Sequence, residues 1–207
     1  MKINSIKIFG ERHSGTNAIG FFVGKNFDLK FNHYDYLGWK HRLAPLQEEW
    51  IKFPVDNCLF VICLRNPYSW LKAMHAEPYY EHYPKIRDLS FYDFVSSSIE
   101  DYENSICMWN KKTASYLRLV KEVPHAVIIR IEDFHQDQDG FYKTLTKILG
   151  NRGLEFTRMD EYINGRGKHD YDIGNSLAVP KLESKEIEYI NSFLSNEIMH
   201  RCDYPML

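Results

Sequence analysis

The stretch INSIKIFGERHSGTNAIGFFVGKNF, residues 3–27, carries the pattern that decides the predicted fold. Residues 3–9 alternate in polarity, are rich in β-forming side chains and end at Gly10, which is typical of a strand that runs into a turn. Residues 16–27 are rich in apolar side chains and are interpreted as a helix. The stretch therefore predicts a strand, a tight loop and a helix in succession.

Two further strands are predicted in the body of the chain. The run CLFVICL, residues 58–64, is apolar at every position, as expected for a central parallel strand covered on both faces, and a helix follows from about Tyr68. The run AVIIRI, residues 126–131, is a third buried strand. Residues 29–36 are interpreted as a second, short strand near the N-terminus, and residues 39–45 as a loop.

Helical periodicity covers most of residues 91–120, and helices are also predicted near residues 140–149 and 184–199. Strands that alternate with helices imply right-handed crossovers and a parallel sheet covered on both sides. The predicted fold is thus a three-layer α/β domain, residues 1–207, with a mostly parallel sheet and helices on both faces. Gly10, Arg65 and Glu132 follow its three main strands, so we expect them to meet at one edge, where ligands bind in such sheets.

The composition is that of an ordinary globular domain. The chain has 207 residues, of which 44% are hydrophobic and 26% charged, which excludes the intrinsically disordered class. The net charge is -2, so the chain as a whole does not attract nucleic acid or an anionic membrane. Any anion site must therefore be local, and no nucleic-acid partner is expected.

The four cysteines form no pair at metal-site or redox-motif spacing. Cys58 and Cys63 lie in one apolar run and are predicted to be buried thiols, which suits a reducing compartment. The N-terminus lacks the pattern of a signal peptide, and no window approaches 18 apolar residues. We therefore expect a cytoplasmic protein without a transmembrane segment.

The loop GERHSGTN, residues 10–17, has the spacing of a phosphate-binding P-loop up to its second glycine, but Thr16 stands where the P-loop lysine would be. Such a loop still presents backbone N–H groups and a helix N-terminus to an anion. Without the lysine it is poorly suited to metal-assisted phosphoryl transfer. A side chain at Gly15 would obstruct close approach of a phosphate, so we expect Gly15→Ala to impair binding more than folding. An ordinary glycine turn is the alternative.

The segment SGTN after a strand resembles the 5′-phosphosulfate-binding loop of the sulfotransferase family, which has a P-loop NTPase-like fold. Further segments resemble the same family in the expected order along most of the chain. They are WKH at residues 39–41, LRNPYSWLKAMH at 64–75, RIEDF at 130–134 and the C-terminal stretch at 182–204.

The resemblance implies a sulfotransferase that moves a sulfonate group from 3′-phosphoadenosine 5′-phosphosulfate to an acceptor hydroxyl, with no metal. His41 would be the general base, since an ordinary histidine pKa near 6.5 suits that role, and Lys40 would stabilise charge on the leaving oxygen. Arg65 would bind the 3′-phosphate, with pairing to a carboxylate as the alternative. The resemblance places the 5′-phosphosulfate against Arg12, His13, Ser14, Gly15, Thr16 and Asn17.

The chain departs from the family pattern at several positions. His13 stands where a lysine or arginine is usual, and the charge of Arg12 would replace it. Ala73 stands where a serine is expected for the 3′-phosphate. Residues 164–175, rich in glycine and charge, hold only a candidate counterpart of the late basic segment and are predicted to form a mobile loop.

The acceptor is expected to be a carbohydrate or glycolipid rather than a small phenol, because no secretion signal is found and residues 74–83 form an aromatic, polar insert. Residues 79–83, YYEHY, are interpreted as able to stack on an acceptor sugar, with packing as the alternative. Glu132 and Asp133 are interpreted as structural, capping or pairing with a loop cation. Two other functions are open at this point: a P-loop-type nucleotide kinase and a non-catalytic nucleotide-binding module. The sequence predicts no metal ligands and leaves the oligomeric state open.

Overall fold

The computed structural model describes residues 2–78, 86, 88–159, 161–164, 167–170 and 180–207, with the backbone alone for 161–164 and 167–170. Four strands form a parallel sheet in the order β2-β1-β3-β4. They are β1 (Ser5–Gly10), β2 (Lys30–Phe31), β3 (Cys58–Leu64) and β4 (Ala126–Arg130). The predicted parallel sheet is confirmed.

Helices connect and cover these strands. In chain order they are α1 (Thr16–Asn26), α2 (Gln47–Trp50), α3 (Pro67–Ala76), α4 (Phe91–Ser96), α5 (Ser105–Glu122), α6 (Ile131–Gln136), α7 (Gln138–Ile148), α8 (Ser184–Phe193) and α9 (Asn196–Arg201).

The sheet separates two apolar clusters, as the alternation of side chains along β3 requires. Leu59 and Val61 belong to the cluster that contains the apolar faces of α1 and α7. Phe60 and Ile62 belong to the other cluster, which α3, α4, α5, α8 and α9 complete. The three-layer α/β architecture is therefore confirmed, and the apolar run of β3 is explained by its burial on both faces.

Several predicted boundaries were wrong, two of them at helices that begin with a polar cap. The long predicted helix over residues 91–120 is two helices, since the Asn104 side chain accepts the Cys107 N–H at 2.8 Å and starts α5 there. Residues 184–199 also divide, where Ser195 caps α9. The strand expected over residues 126–131 ends at Arg130 because Ile131 already begins α6, and the strand expected over 29–36 has two residues.

The segment predicted as a mobile loop contains a strand. Backbone pairing joins β5 (Glu161–Asn164) to β6 (Gly167–Asp170) in antiparallel register. Residues 165, 166 and 171–175 of that segment lie outside the described residues, as do residues 79–83, which were expected to stack on an acceptor. In the described part of the chain, no helix combines the length and apolarity needed to cross a membrane.

The strand order creates a crevice at the carboxyl edge of the sheet. β1 lies between β2 and β3, so the chain reverses its direction of travel across the sheet at the β1–β3 boundary. Ligands in open parallel sheets bind at such a switch point, outside the carboxyl ends of the strands. Here that point lies beside Gly10 and Leu64, the last residues of β1 and β3.

Gly15, at the start of α1, is required by backbone conformation and by packing. Its φ of +81° lies in the left-handed region, which costs a residue with a side chain about 1–2 kcal/mol. A Cβ atom there would lie 2.2 Å from Cδ1 of Ile131. The glycine therefore has a role in folding that the sequence pattern did not show.

We expect Gly15→Ala to lower the free energy of unfolding by at least about 1 kcal/mol, because strain and the contact with Ile131 both oppose it. Urea denaturation measures this change. The matched control is Gly20→Ala in the same helix, where a Cβ meets only ordinary contacts, 3.5 Å from Cδ1 of Ile8. The control should be as stable as wild type or more so, and equal losses in both variants would contradict this account.

Candidate functional site

The loop between β1 and α1 is a compact turn with two left-handed residues. His13 and Gly15 have φ values of +63° and +81°. The Ser14 N–H donates to the Glu11 carbonyl at 3.1 Å, and the Ser14 hydroxyl donates to the same oxygen. The chain then enters α1, whose Ile19 N–H donates to the Gly15 carbonyl at 3.0 Å.

The N-terminus of α1 faces the crevice without a capping side chain. Gly15 is its N-cap residue, and no side-chain hydrogen bond caps the helix. The first N–H groups of a helix have no acceptor within the helix, and they carry the positive end of its dipole. Thr16 and Asn17, the first two residues of α1, therefore present backbone donors suited to an anion, as the sequence predicts.

Arg12 and His13 are held by the end of α3. The Arg12 guanidinium lies 3.3 Å from a carboxylate oxygen of Glu77, and Nε2 of His13 donates to the Glu77 carbonyl at 2.7 Å. The indole N–H of Trp70 donates to the Arg12 carbonyl at 2.8 Å. These contacts tie the loop to α3, while 22% of the Arg12 side chain stays exposed to solvent.

Lys40 and His41 lie at the end of β1, although 30 positions separate Lys40 from Gly10 in the sequence. The Gly10 N–H donates to the Lys40 carbonyl at 3.0 Å, and Nδ1 of His41 donates to the Gly10 carbonyl at 2.5 Å. The Lys40 ammonium donates to the side-chain oxygen of Asn17, in the first turn of α1. The two predicted catalytic residues are thus brought to the predicted phosphate loop.

The environment of His41 keeps its ring neutral. Burial lowers the pKa of His41 to about 3, and the charges of Lys40, Lys112 and Arg12 act in the same direction, against the hydrogen bond to Gly10. Because Nδ1 carries the proton donated to Gly10, Nε2 holds the lone pair. The ordinary histidine pKa assumed from the sequence was wrong, since it ignored this burial. Burial also lowers the pKa of Lys40.

Arg65 lies under the loop and contacts it. The side chain is buried, and its guanidinium donates to the Ser69 hydroxyl and to the His13 carbonyl, each at 3.1 Å. Burial lowers the pKa of Arg65, and the nearby charge of Glu132 opposes that effect. Arg65 therefore helps to shape the loop, and its contact with a 3′-phosphate stays a prediction.

Glu132 has the structural contacts that the sequence suggested. Its carboxylate accepts the Asn66 N–H at 2.8 Å and the Tyr204 hydroxyl at 3.1 Å. Asp133 forms an ion pair with Arg130 at 2.6 Å. Glu132 thus joins the ends of β3 and β4 to the C-terminal segment.

Sequence reasoning missed a buried ion pair between Glu11 of the loop and Lys112 of α5. Both residues are almost completely buried, and the Lys112 ammonium also donates to the His41 carbonyl at 2.9 Å. The other carboxylate oxygen of Glu11 accepts the Arg12 N–H at 2.7 Å. Lys112 therefore touches both the loop and the segment that carries His41. Its position between Met108 and Tyr116, four residues away on each side along the buried helix face, is the sequence signal that could have found it.

Further side chains of α5 hold the chain that follows His41. The Tyr116 hydroxyl donates to the Arg42 carbonyl at 2.9 Å, and the Ser115 hydroxyl accepts the Ala44 N–H at 3.0 Å. Arg118 donates to the Ala44 carbonyl at 3.1 Å. The loop predicted over residues 39–45 is confirmed as lacking helix and strand, and these bonds determine its path.

Among the described residues, no three His, Cys, Asp or Glu side chains are grouped so that they could hold a metal ion. No protein-family model matches the chain, and no curated protein matches it. The resemblance to sulfotransferases therefore stays a prediction, supported by the motifs and by the geometry at the end of β1.

We expect Lys112→Met to lower the free energy of unfolding by about 3–5 kcal/mol, because it leaves the Glu11 carboxylate buried without its opposite charge. The double variant with Glu11→Gln should lose less, since no buried charge remains. Chemical denaturation measures both. The control is Lys111→Met, which changes the exposed neighbour and should alter stability by at most about 0.5 kcal/mol. A double variant that loses the sum of the two single losses would contradict the ion pair's role.

Proposed function

We propose that this protein is a sulfotransferase that moves a sulfonate group from 3′-phosphoadenosine 5′-phosphosulfate to an acceptor hydroxyl. One observation carries the proposal: Lys40 and His41 are hydrogen-bonded to the last residue of β1, directly beside the loop that ends in Gly15 and α1. Transfer needs a base and a cationic group next to an anion-binding loop, and this arrangement supplies all three within one crevice.

The donor is bound in this proposal by the loop and the start of α1. The N–H groups of Gly15, Thr16 and Asn17 bind the 5′-phosphosulfate with help from the helix dipole, and the Arg12 guanidinium adds charge. Close packing keeps this loop tight, since a Cβ at Gly10 would lie 2.5 Å from the Cys63 carbonyl oxygen. Arg65 binds the 3′-phosphate, whereas Ala73 offers no hydroxyl for it.

In the transfer step, Nε2 of His41 accepts the proton of the acceptor hydroxyl. The acceptor oxygen forms a bond to sulfur as the bond between sulfur and the bridging oxygen breaks. The electron pair of that bond stays on the 5′-phosphate of the departing nucleotide, where Lys40 and the loop N–H groups stabilise the added charge. His41 is neutral at physiological pH because its pKa is about 3, so its lone pair is available without prior deprotonation. The same low pKa makes the ring a weak base, and in this proposal the negative charge of the bound donor raises that pKa for the transfer step.

The remaining parts of the proposal follow the same motifs. A carbohydrate or glycolipid is the proposed acceptor class, and the cytoplasm is the proposed location. Thr16, in the place of the P-loop lysine, favours this reaction over a nucleotide kinase, which uses that lysine on the transferred phosphate.

We expect His41→Ala to lower the rate of sulfonate transfer by about 10²–10⁴ while leaving nucleotide affinity within about twofold, because His41 acts on the acceptor proton. Transfer of radiolabelled sulfonate from the donor to a panel of hydroxyl acceptors measures the rate. The control is His200→Ala, which changes an exposed histidine of α9 and should transfer at the wild-type rate.

The pH profile tests the same assignment. In the free enzyme His41 does not titrate between about pH 5 and 8 because its pKa is about 3, so kcat/KM for the donor, which reports the free enzyme, should show no rising limb from this residue in that interval. A wild-type limb near pH 6.5 that disappears in His41→Ala would contradict the buried, neutral state of the ring. Unchanged transfer by His41→Ala would remove it from the reaction.

A further inference from the structure

A cleft of about 600 Å³ opens beside Lys40, on the side of β1 away from β3. It exists because β2 is short. The Asn32 N–H still donates to the Ile6 carbonyl at 2.8 Å, but the chain then leaves β1 and returns only where the Gly10 N–H donates to the Lys40 carbonyl. The intervening residues 33–39 bend outward, and the cleft lies between them and α1.

Lys7, in β1, holds the bend of residues 33–39 in place. Its ammonium is buried and donates to the carbonyls of His33 and Gly38, which lie near the two ends of the bend. Burial lowers the pKa of Lys7 to about 8. The outer wall of the cleft is therefore held in place, because a buried ammonium group binds two carbonyls of the bend.

Polarity changes from one part of the cleft lining to another. Thr16, Asn17 and Lys40 contribute polar groups next to the loop that begins α1. Ile8, Phe21 and Phe31 contribute apolar surface. Tyr34 and Trp39, which are 74% and 43% exposed, add aromatic rings.

Gly20 widens the cleft, and the fold does not require a glycine there. It lies inside α1, where glycine is less stable than alanine. Its φ is not positive, and a Cβ would have room, 3.5 Å from Cδ1 of Ile8 and 3.9 Å from Cε1 of Phe31. A larger side chain at this position would occupy space that the cleft now offers to a ligand.

We infer that this cleft binds the acceptor, and that the acceptor is amphipathic, with an apolar body against Phe21 and Phe31. Its hydroxyl group lies toward His41, whose ring packs edge-on against Trp39 of the cleft lining with the ring centroids 5.0 Å apart. The inference rests on the proposed function, since it takes Lys40 to lie beside the transferred group. A free sugar stacks on an aromatic ring through its C–H face alone, and the hydroxyl groups around that face would lose water against Ile8, Phe21 and Phe31 without gaining partners. A glycoside with an apolar aglycone satisfies both kinds of surface, and the volume suits a small ligand of this type.

The test compares octyl β-D-glucoside, below its micelle concentration, with methyl β-D-glucoside, which has the same sugar and lacks the apolar chain. Binding of each to the full chain with 3′-phosphoadenosine 5′-phosphate present is measured by NMR titration. We expect the octyl compound to bind at least about tenfold more tightly, which burial of two or three methylene groups already accounts for. The largest shifts should fall on Gly20, Phe21 and Trp39. Equal affinity, or no binding of either compound, overturns the inference.

Gly20→Leu should remove the advantage of the octyl compound and leave the affinity for 3′-phosphoadenosine 5′-phosphate unchanged. Thr144→Leu is the control, because it adds a leucine at an exposed position of α7, outside the cleft lining. If Gly20→Leu does not fold, Gly20→Ala should still reduce the advantage. Retention of the full advantage in a folded Gly20 variant overturns the inference.

The experiment also distinguishes failure of the proposed function from failure of the cleft's proposed specificity. If wild type does not bind 3′-phosphoadenosine 5′-phosphate, the proposed donor is wrong, and the two glucosides are then titrated alone. A preference for the octyl compound that Gly20→Leu removes would still establish the amphipathic specificity of the cleft, and its absence would overturn that specificity.

Discussion

Two hydrogen bonds at Gly10 determine how the candidate site is assembled. Gly10 is the last residue of β1; its N–H donates to Lys40 and its carbonyl accepts from His41. The first bond continues the edge of β1 after β2 has ended, and the second fixes which nitrogen of His41 carries the proton. The groups proposed for the chemistry are therefore held by the same strand that leads into the loop proposed to bind the donor.

The surrounding residues protect this junction from water and hold it in place. Lys112 reaches from α5 to Glu11 on one side and to the His41 carbonyl on the other, so a single buried ammonium contacts both halves of the site. Replacing a buried ion pair by apolar groups often costs little stability. The pair therefore contributes most through geometry, because it sets the spacing between the loop and the His41 segment.

Much of the fold could be predicted from the sequence because local patterns matched the tertiary structure. The run over Cys58–Leu64 is apolar at each position and is a central strand with those bounds. The spacing of Gly10 and Gly15 and the SGTN segment predicted where the turn into α1 lies. The resemblance of residues 39–41 to a catalytic segment led to the prediction that Lys40 and His41 serve the loop, and the structure places them beside it.

The rest depended on contacts between residues distant in sequence. The pKa of His41 follows from burial, from the adjacent Lys40 and from two cations on other segments, Lys112 and Arg12, and no local pattern shows the burial or these two distant charges. The role of Gly15 in packing depends on Ile131, which lies 116 positions later. The amphipathic cleft arises where β2 stops after two residues, and β-forming side chains continue beyond that point in the sequence. Asn104 and Ser195 cap the starts of α5 and α9, and these caps mark new helices where apolar periodicity alone predicts one continuous helix.

The central claim is that the crevice at Gly10 recognises the nucleotide of a sulfonate donor, and calorimetry tests it most directly. Titration of the wild-type protein with 3′-phosphoadenosine 5′-phosphate, AMP and ATP with magnesium compares nucleotides that differ in phosphate position. The account predicts that the 3′-phosphate tightens binding relative to AMP by about 10- to 150-fold, the range that charge-assisted hydrogen bonds from Arg65 would produce, and that ATP with magnesium binds more weakly. Equal affinity for 3′-phosphoadenosine 5′-phosphate and AMP, or tightest binding of ATP with magnesium, would contradict it.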